Sequence, residues 1–174
     1  MKVIFLNFFA LGFIITLASS CTTTKIDSNK SPNFNQKVSK IFLTVRGSEG
    51  SKEFMKPLTT SLVSELTTHG VECNYYTFDP LSLETDKDLI EKIKIYNPDV
   101  VMTVVQTERR VTSGSMGRAE TGATLDIRLF IPNQDNPVWR ASVKVDGNFE
   151  VALNPAKQTT AKIIEKLKMD GIID

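Results

Sequence analysis

Two stretches of this chain are apolar without interruption over the length of a strand. Val100-Val101-Met102-Thr103-Val104-Val105, entered through Asp99, is the more apolar, and Ile41-Phe42-Leu43-Thr44-Val45 is the other. A strand that is apolar on both faces must be covered on both faces, so each predicts a central strand of a layered α/β fold. The segments between them supply the layers. Leu58, Leu62 and Leu66 recur every four residues with Val63 beside them, which predicts a helix ending near His69. Pro57 suits its first turn. Gly70 then fits the left-handed C′ position, which brings Val71 (C″) onto Leu66 (C3). Val71–Phe78 reads as a strand stopped by Asp79-Pro80. Thr85 and Asp88 have capping-box spacing ahead of a helix that runs to about Tyr96, buries Leu89, Ile90 and Ile93, and ends at Asn97-Pro98. The alternation strand–helix–strand–helix–strand implies parallel pairing with right-handed crossovers.

Beyond Gln106 the pattern changes. Thr107–Thr112 is compatible with more strand, and Ser113–Gly122, with three glycines, reads as a loop. Leu125, Ile127, Leu129 and Ile131 alternate with polar residues, as do Trp139, Ala141, Val143 and Val145, and Pro132–Pro137 joins the two runs. This is an antiparallel hairpin. Both apolar sets must face one core, so odd residues oppose odd residues. Trp139 falls in the core, and Arg128, Arg140 and Lys144 gather on the other face with Asp126 among them. Asn154 suits an N-cap and Pro155 the first helical position, ahead of a helix burying Thr160, Ile163, Ile164 and Leu167. Gly171 permits a second cap of the same kind, Ile172 meeting Leu167. The fold class is therefore α/β: a mixed sheet with a parallel βαβαβ part, then an antiparallel hairpin and a C-terminal helix.

The N-terminus has its own logic. Met1-Lys2 precedes the apolar run Val3–Leu17, and Ala18-Ser19-Ser20 leads into Cys21. One positive charge, an apolar stretch of about 15 residues and small residues at its end are the parts of a secretory signal; the stretch is short of the roughly 20 needed to span hydrocarbon. Thr22–Lys40 is polar and aperiodic, so residues 21–40 are expected to form a flexible tether with a reach on the order of 25 Å. Phe34 and Val38 are its residues able to pack onto a domain. The expected organisation is a signal at 1–20, the tether at 21–40 and one domain at 41–174.

Removal of the leader takes the formal net charge from +1 to zero, because Lys2 is its only charged residue. A balanced chain lacks the basic footprint of a nucleic-acid binder. If Cys21 is modified, the second cysteine, Cys73, has no partner for a disulfide and is expected to be a buried, inert thiol.

No reaction centre stands out. Gly117–Thr124 has the spacing of a phosphate-binding loop, but Ala123 replaces the lysine and an alternating strand follows where a helix N-terminus is needed. The better functional reading is a contact loop, with Ser113, Ser115, Met116, Arg118 and Glu120 its contact residues. His69, the single histidine, suits a helix C-terminus, where a cation meets the negative end of the dipole. One histidine and one remaining cysteine cannot build a zinc site, there is no Gly-x-Ser-x-Gly elbow, and no pair of acids is assigned as in a glycosidase. No metal and no cofactor is expected. The basic face of Arg128, Arg140 and Lys144 could meet an acidic partner, such as lipid headgroups or a polyanionic cell-wall polymer.

The ending Leu17-Ala18-Ser19-Ser20-Cys21 resembles the lipobox of bacterial lipoproteins, with Ser20 where Gly or Ala is usual. The resemblance implies cleavage before Cys21, a diacylglyceryl thioether on its sulfur and an acyl group on its new amine. Several chains together give stable anchoring. In that family Thr22, in place of an Asp, implies the outer membrane. The element order over residues 41–171, with Asn97-Pro98-Asp99-Val100-Val101 and Val138-Trp139-Arg140-Ala141 as local likenesses, resembles a small envelope module. That module is found as the N-terminal domain of the Tol translocation protein and in lipoprotein activators of penicillin-binding proteins. It implies a non-enzymatic binding domain and carries over no partner-binding residues. The expectation is an outer-membrane lipoprotein, lipid-anchored at Cys21 and facing the periplasm, that serves as a binding or scaffold module for an envelope protein partner. The alternatives are an enzyme acting on cell-wall polymers and a subunit of an envelope export or assembly complex.

Overall fold

A computed structural model describes residues 22–114, 117–147, 149 and 153–174. The leader and Cys21 lie outside them. The described chain forms a six-stranded mixed sheet and three helices. The strands are β1 (Thr23–Lys30), β2 (Lys40–Arg46), β3 (Glu72–Thr77), β4 (Val100–Gly114), β5 (Gly117–Phe130) and β6 (Trp139–Asp146). The helices are α1 (Lys52–Thr68), α2 (Asp86–Tyr96) and α3 (Leu153–Met169). Across the sheet the order is β1-β6-β5-β4-β2-β3. β2 pairs in parallel with β3 and β4, and the other neighbours are antiparallel. The two apolar runs become β2 and β4, side by side in the interior of the sheet.

One face of the sheet carries the core. Ile41, Leu43, Val45, Val100, Met102, Val104, Leu125, Ile127, Leu129, Trp139 and Val143 are buried there against Leu58, Leu62 and Leu66 of α1 and Ile163, Ile164 and Leu167 of α3. Leu125 opposes Val143, Ile127 opposes Ala141 and Leu129 opposes Trp139, so odd residues do face odd ones. Both helices end as their glycines require. Gly70 has φ 75° and Gly171 φ 68°. The Val71 N–H donates to the Leu66 carbonyl at 2.9 Å and the Ile172 N–H to that of Leu167 at 2.8 Å, the six-to-one bond of a Schellman cap. His69 caps α1, its ring Nδ1 lying 2.8 Å from the Glu65 carbonyl oxygen.

Five expectations are corrected. The segment expected to be a tether is part of the fold. β1 lies antiparallel along the whole of β6, from Thr23 opposite Asp146 to Lys30 opposite Trp139, and Phe34 and Val38 are buried in the core. The domain thus begins at Thr23 and not at residue 41. A polar strand escapes sequence reading because its inward positions, Thr24, Ile26, Ser28 and Lys30, need cover only the rim of the core. The Ser113–Gly122 loop is mostly strand: β4 and β5 pair out to Gly114 opposite Gly117. α2 has its capping box, but it buries nothing fully; Leu89 and Ile93 are half-covered and Ile90 is exposed. α1 starts early enough that Pro57 sits inside it rather than in its first turn. α3 starts at Leu153, so Asn154 is within the helix and is not its cap.

Candidate functional site

The two faces of the sheet are unequally covered. α2 lies over the second face, where Tyr96 meets Phe42 edge-on at 5.7 Å between ring centroids, and its Leu89 and Ile93 line one groove with Val101 and Phe130. This groove, of about 510 Å³, is lined also by Phe78, Val105, Asp126 and Arg128 among others. Past the groove, no helix among the described residues lies over the second face of β5, β6 and β1. Arg128 stands directly opposite Arg140, Lys144 opposite Lys25, and Asp27 opposite Ser142. The basic residues grouped from the sequence do share this face.

Their charge is partly neutralised. Arg128 Nε donates to Asp126 Oδ2 at 2.9 Å, and Arg140 Nε donates to Asp126 Oδ1 at 2.8 Å. Asp126 therefore stands between two guanidiniums. Partial burial alone would raise its pKa, but the hydrogen bonds from Arg128 and Arg140 outweigh that and hold the carboxyl below the ordinary range. Lys144 reaches only to 3.9 Å from Asp146. The result is a wet, mixed-charge sheet surface with a basic excess.

The expected contact loop becomes a projecting two-stranded arm. Thr23, Asp146, Gly122 and Arg110 form one row across β1, β6, β5 and β4. Beyond that row β4 and β5 continue alone through Val111–Glu120, Thr112–Ala119, Ser113–Arg118 and Gly114–Gly117. Ser113 and Arg118 are exposed cross-strand partners near the tip, whereas Ser115 and Met116 lie outside the described residues. Glu120, two residues along the strand and so on the same face as Arg118, lies nearer the root of the arm: its side chain is 9% exposed and its carboxylate pairs with Arg109 at 3.3 Å. The structure therefore brings Ser113 and Arg118 together and sets Glu120 apart. The phosphate-loop spacing of Gly117–Thr124 falls on strand β5 and not on a loop ahead of a helix.

The base of the arm depends on a residue the sequence did not single out. Arg110 donates through Nε to Asp146 Oδ1 at 3.1 Å, through Nη2 to the Val145 carbonyl at 2.8 Å and to the Ala123 carbonyl at 3.0 Å, and through Nη1 to Glu108 and to Thr124 Oγ1. It thereby joins β4, β5 and β6 where the arm leaves the sheet. Gly122 makes this possible, since a Cβ there would lie 2.7 Å from the Val145 carbonyl oxygen and 2.8 Å from Arg110 Nε. The glycine was the one available signal, and it read as loop punctuation because its real requirement is close approach. Register shifts between Gln106 and Glu108 and between Arg110 and Val111 bend the arm on either side of this staple.

Cys73 is partly buried on β3, and desolvation pushes its thiol up to about 11, which makes it a poor nucleophile. Among the described residues no group of three or more His, Cys, Asp or Glu side chains is placed to hold a metal ion, and no helix is long and apolar enough to cross a membrane.

No family model and no curated protein sequence matches the chain. Solved structures share the architecture. A PelC dodecamer from Paraburkholderia phytofirmans carrying one leucine-to-methionine substitution superposes with a TM-score of 0.58 at 14% identity, over 82% of this chain and 96% of that one. A second PelC dodecamer structure from the same organism gives 0.52 at 12% identity, over 79% and 94%. Lipoprotein GNA1162 from Neisseria meningitidis gives 0.45 at 13% identity, over 75% and 98%. At these identities the likeness to PelC is one of fold: a mixed α/β sheet spanning nearly the whole of those chains.

Proposed function

We propose that this protein is a lipoprotein of the cell envelope, acylated at Cys21 and held at the outer membrane facing the periplasm, and that it works as a non-enzymatic binding or scaffold module. The observation that carries the reading is positional. The cysteine that follows the leader stands two residues before an edge strand that is zipped to β6 along its length. An anchor there holds the whole sheet and not a loose tail. The half-open second face, with its groove and the Arg128, Arg140 and Lys144 surface, offers a partner both an apolar and a charged contact without a constellation of groups for chemistry.

The test is Cys21→Ala in the full-length chain, followed by membrane fractionation. The variant is expected in the soluble fraction with the fold intact by circular dichroism. A variant that stays wholly with the membranes overturns the anchor.

A further inference from the structure

We propose that the β4–β5 arm is the membrane-facing surface of this protein, and that its outer pairs, Ser113 with Arg118 and Gly114 with Gly117, contact the lipid headgroups of the bilayer that holds Cys21. The inference rests on the acylation of Cys21 proposed above and adds an orientation to it.

The geometry begins at Thr22. A Cβ on Gly147 would lie 3.0 Å from Thr22 Oγ1, and the Gly147 N–H donates to the Thr121 carbonyl at 3.0 Å. Thr22 therefore sits at the root of the arm, one residue beyond the row that contains Thr23, Asp146, Gly122 and Arg110. The next Cα toward the N-terminus is about 3.8 Å away across one trans peptide. No spacer separates the anchor from the sheet, so the end of the sheet that carries Thr23 is the end brought to the bilayer. The arm leaves from that same end.

Its length decides the contact. Four further strand pairs extend beyond the Arg110–Gly122 row. At roughly 3.3 Å per residue they reach about 13 Å. The polar layer on one side of a bilayer is only about 5–8 Å thick, the difference between about 40–45 Å overall and about 30 Å of hydrocarbon. An arm longer than that layer, rooted beside the anchor, meets the headgroups whether it points into the surface or bends along it.

The chemistry suits a polar interface. The arm's backbone groups pair with one another, Ser113 and Arg118 are exposed, and Val111 is 41% exposed. Arg118 presents a guanidinium able to hold a phosphate oxygen.

The experiment uses the full-length, acylated protein with Ser113→Cys, Arg118→Cys or, as a control on the β5–β6 turn at the opposite end, Asp135→Cys. Each is labelled with an environment-sensitive dye near neutral pH, where Cys73, with its pKa pushed up to about 11, stays a thiol. The labelled proteins are placed in phosphatidylethanolamine–phosphatidylglycerol vesicles carrying a headgroup nitroxide quencher. Quenching is expected to be several-fold stronger at 113 and 118 than at 135. Equal quenching at all three sites on vesicle-bound protein overturns the orientation and leaves the anchor standing. Arm dyes shielded from an aqueous quencher yet untouched by the lipid quencher also overturn it, and point to a second copy of the chain against the arm. A mass of the N-terminal peptide showing unmodified Cys21 overturns the anchor reading, and this inference with it.

Discussion

Asp170 receives donors from three elements. Ser28 Oγ of β1 donates to its Oδ2 at 2.6 Å, Trp139 Nε1 of β6 to the same oxygen at 2.8 Å, and Lys166 Nζ of α3 to its Oδ1 at 2.8 Å. Partial burial alone would raise the pKa of this carboxyl, but the donors from Lys166, Ser28 and Trp139 reverse that and lower it. A lowered folded-state pKa gives stability that is complete above the unfolded value, near 3.9, and is lost as pH falls through the folded one. Asp170→Ala is expected to lower stability by about 1–3 kcal/mol at neutral pH, because it strands the buried indole N–H. The loss should shrink as pH falls from the unfolded value through the lowered folded one, where the native carboxyl itself protonates. Urea unfolding followed by the fluorescence of Trp139, the single tryptophan, checks both statements; an unchanged midpoint at neutral pH refutes them. Trp139 and the glycine caps were legible in the sequence because alternation and a lone glycine after a helix are local signals. Asp170 was not, since nothing local distinguishes an aspartate that gathers partners from distant parts of the chain.

α2 and the arm are the elements that depart furthest from the expectation. Periodicity correctly placed a helix at Leu89, Ile90 and Ile93, but it cannot state how much sheet lies beneath. Here α2 rests on part of the second face, where Tyr96 reaches Phe42 of β2 and Lys92 lies 5.1 Å from the ring centroid of Tyr76 on β3. Much of its definition is local. The Thr85 side chain and the Asp88 carboxylate cap one another's backbone, and Asn97 closes the helix at φ 50°. Thr85→Ala is expected to cost about 1 kcal/mol. With so little packing to share, that cost should appear as faster hydrogen exchange across 86–96 while exchange in α1 is unchanged. Equal acceleration in both helices counts against independent opening of α2. The arm escaped sequence reading for the opposite reason. Glycine, serine and threonine are loop residues by habit, yet cross-strand pairing and the Arg110 staple impose strand geometry on them.

At the scale of the whole molecule, β1 decides what the anchor proposed at Cys21 would do. A tether would uncouple domain and membrane, whereas an edge strand would make them one body. Limited trypsin digestion separates the two. Lys25 and Lys30 lie in β1, so the folded protein is expected to resist cleavage at both, while a tether would be cut within the first minutes. The central βαβαβ part was readable because its strands carry their own apolar signature, and the hairpin because both strands alternate. β1 has neither signature, and only its pairing with β6 defines it. That pairing also fixes an order of events. Thr24 shares a hydrogen bond with Thr159, 135 residues further on. Contacts this distant in sequence form late, after the loop entropy between them has been overcome. β1 is thus among the last strands to find its place, and on the proposed reading cleavage and acylation at Cys21 would act on a chain whose sheet still lacks its outermost member.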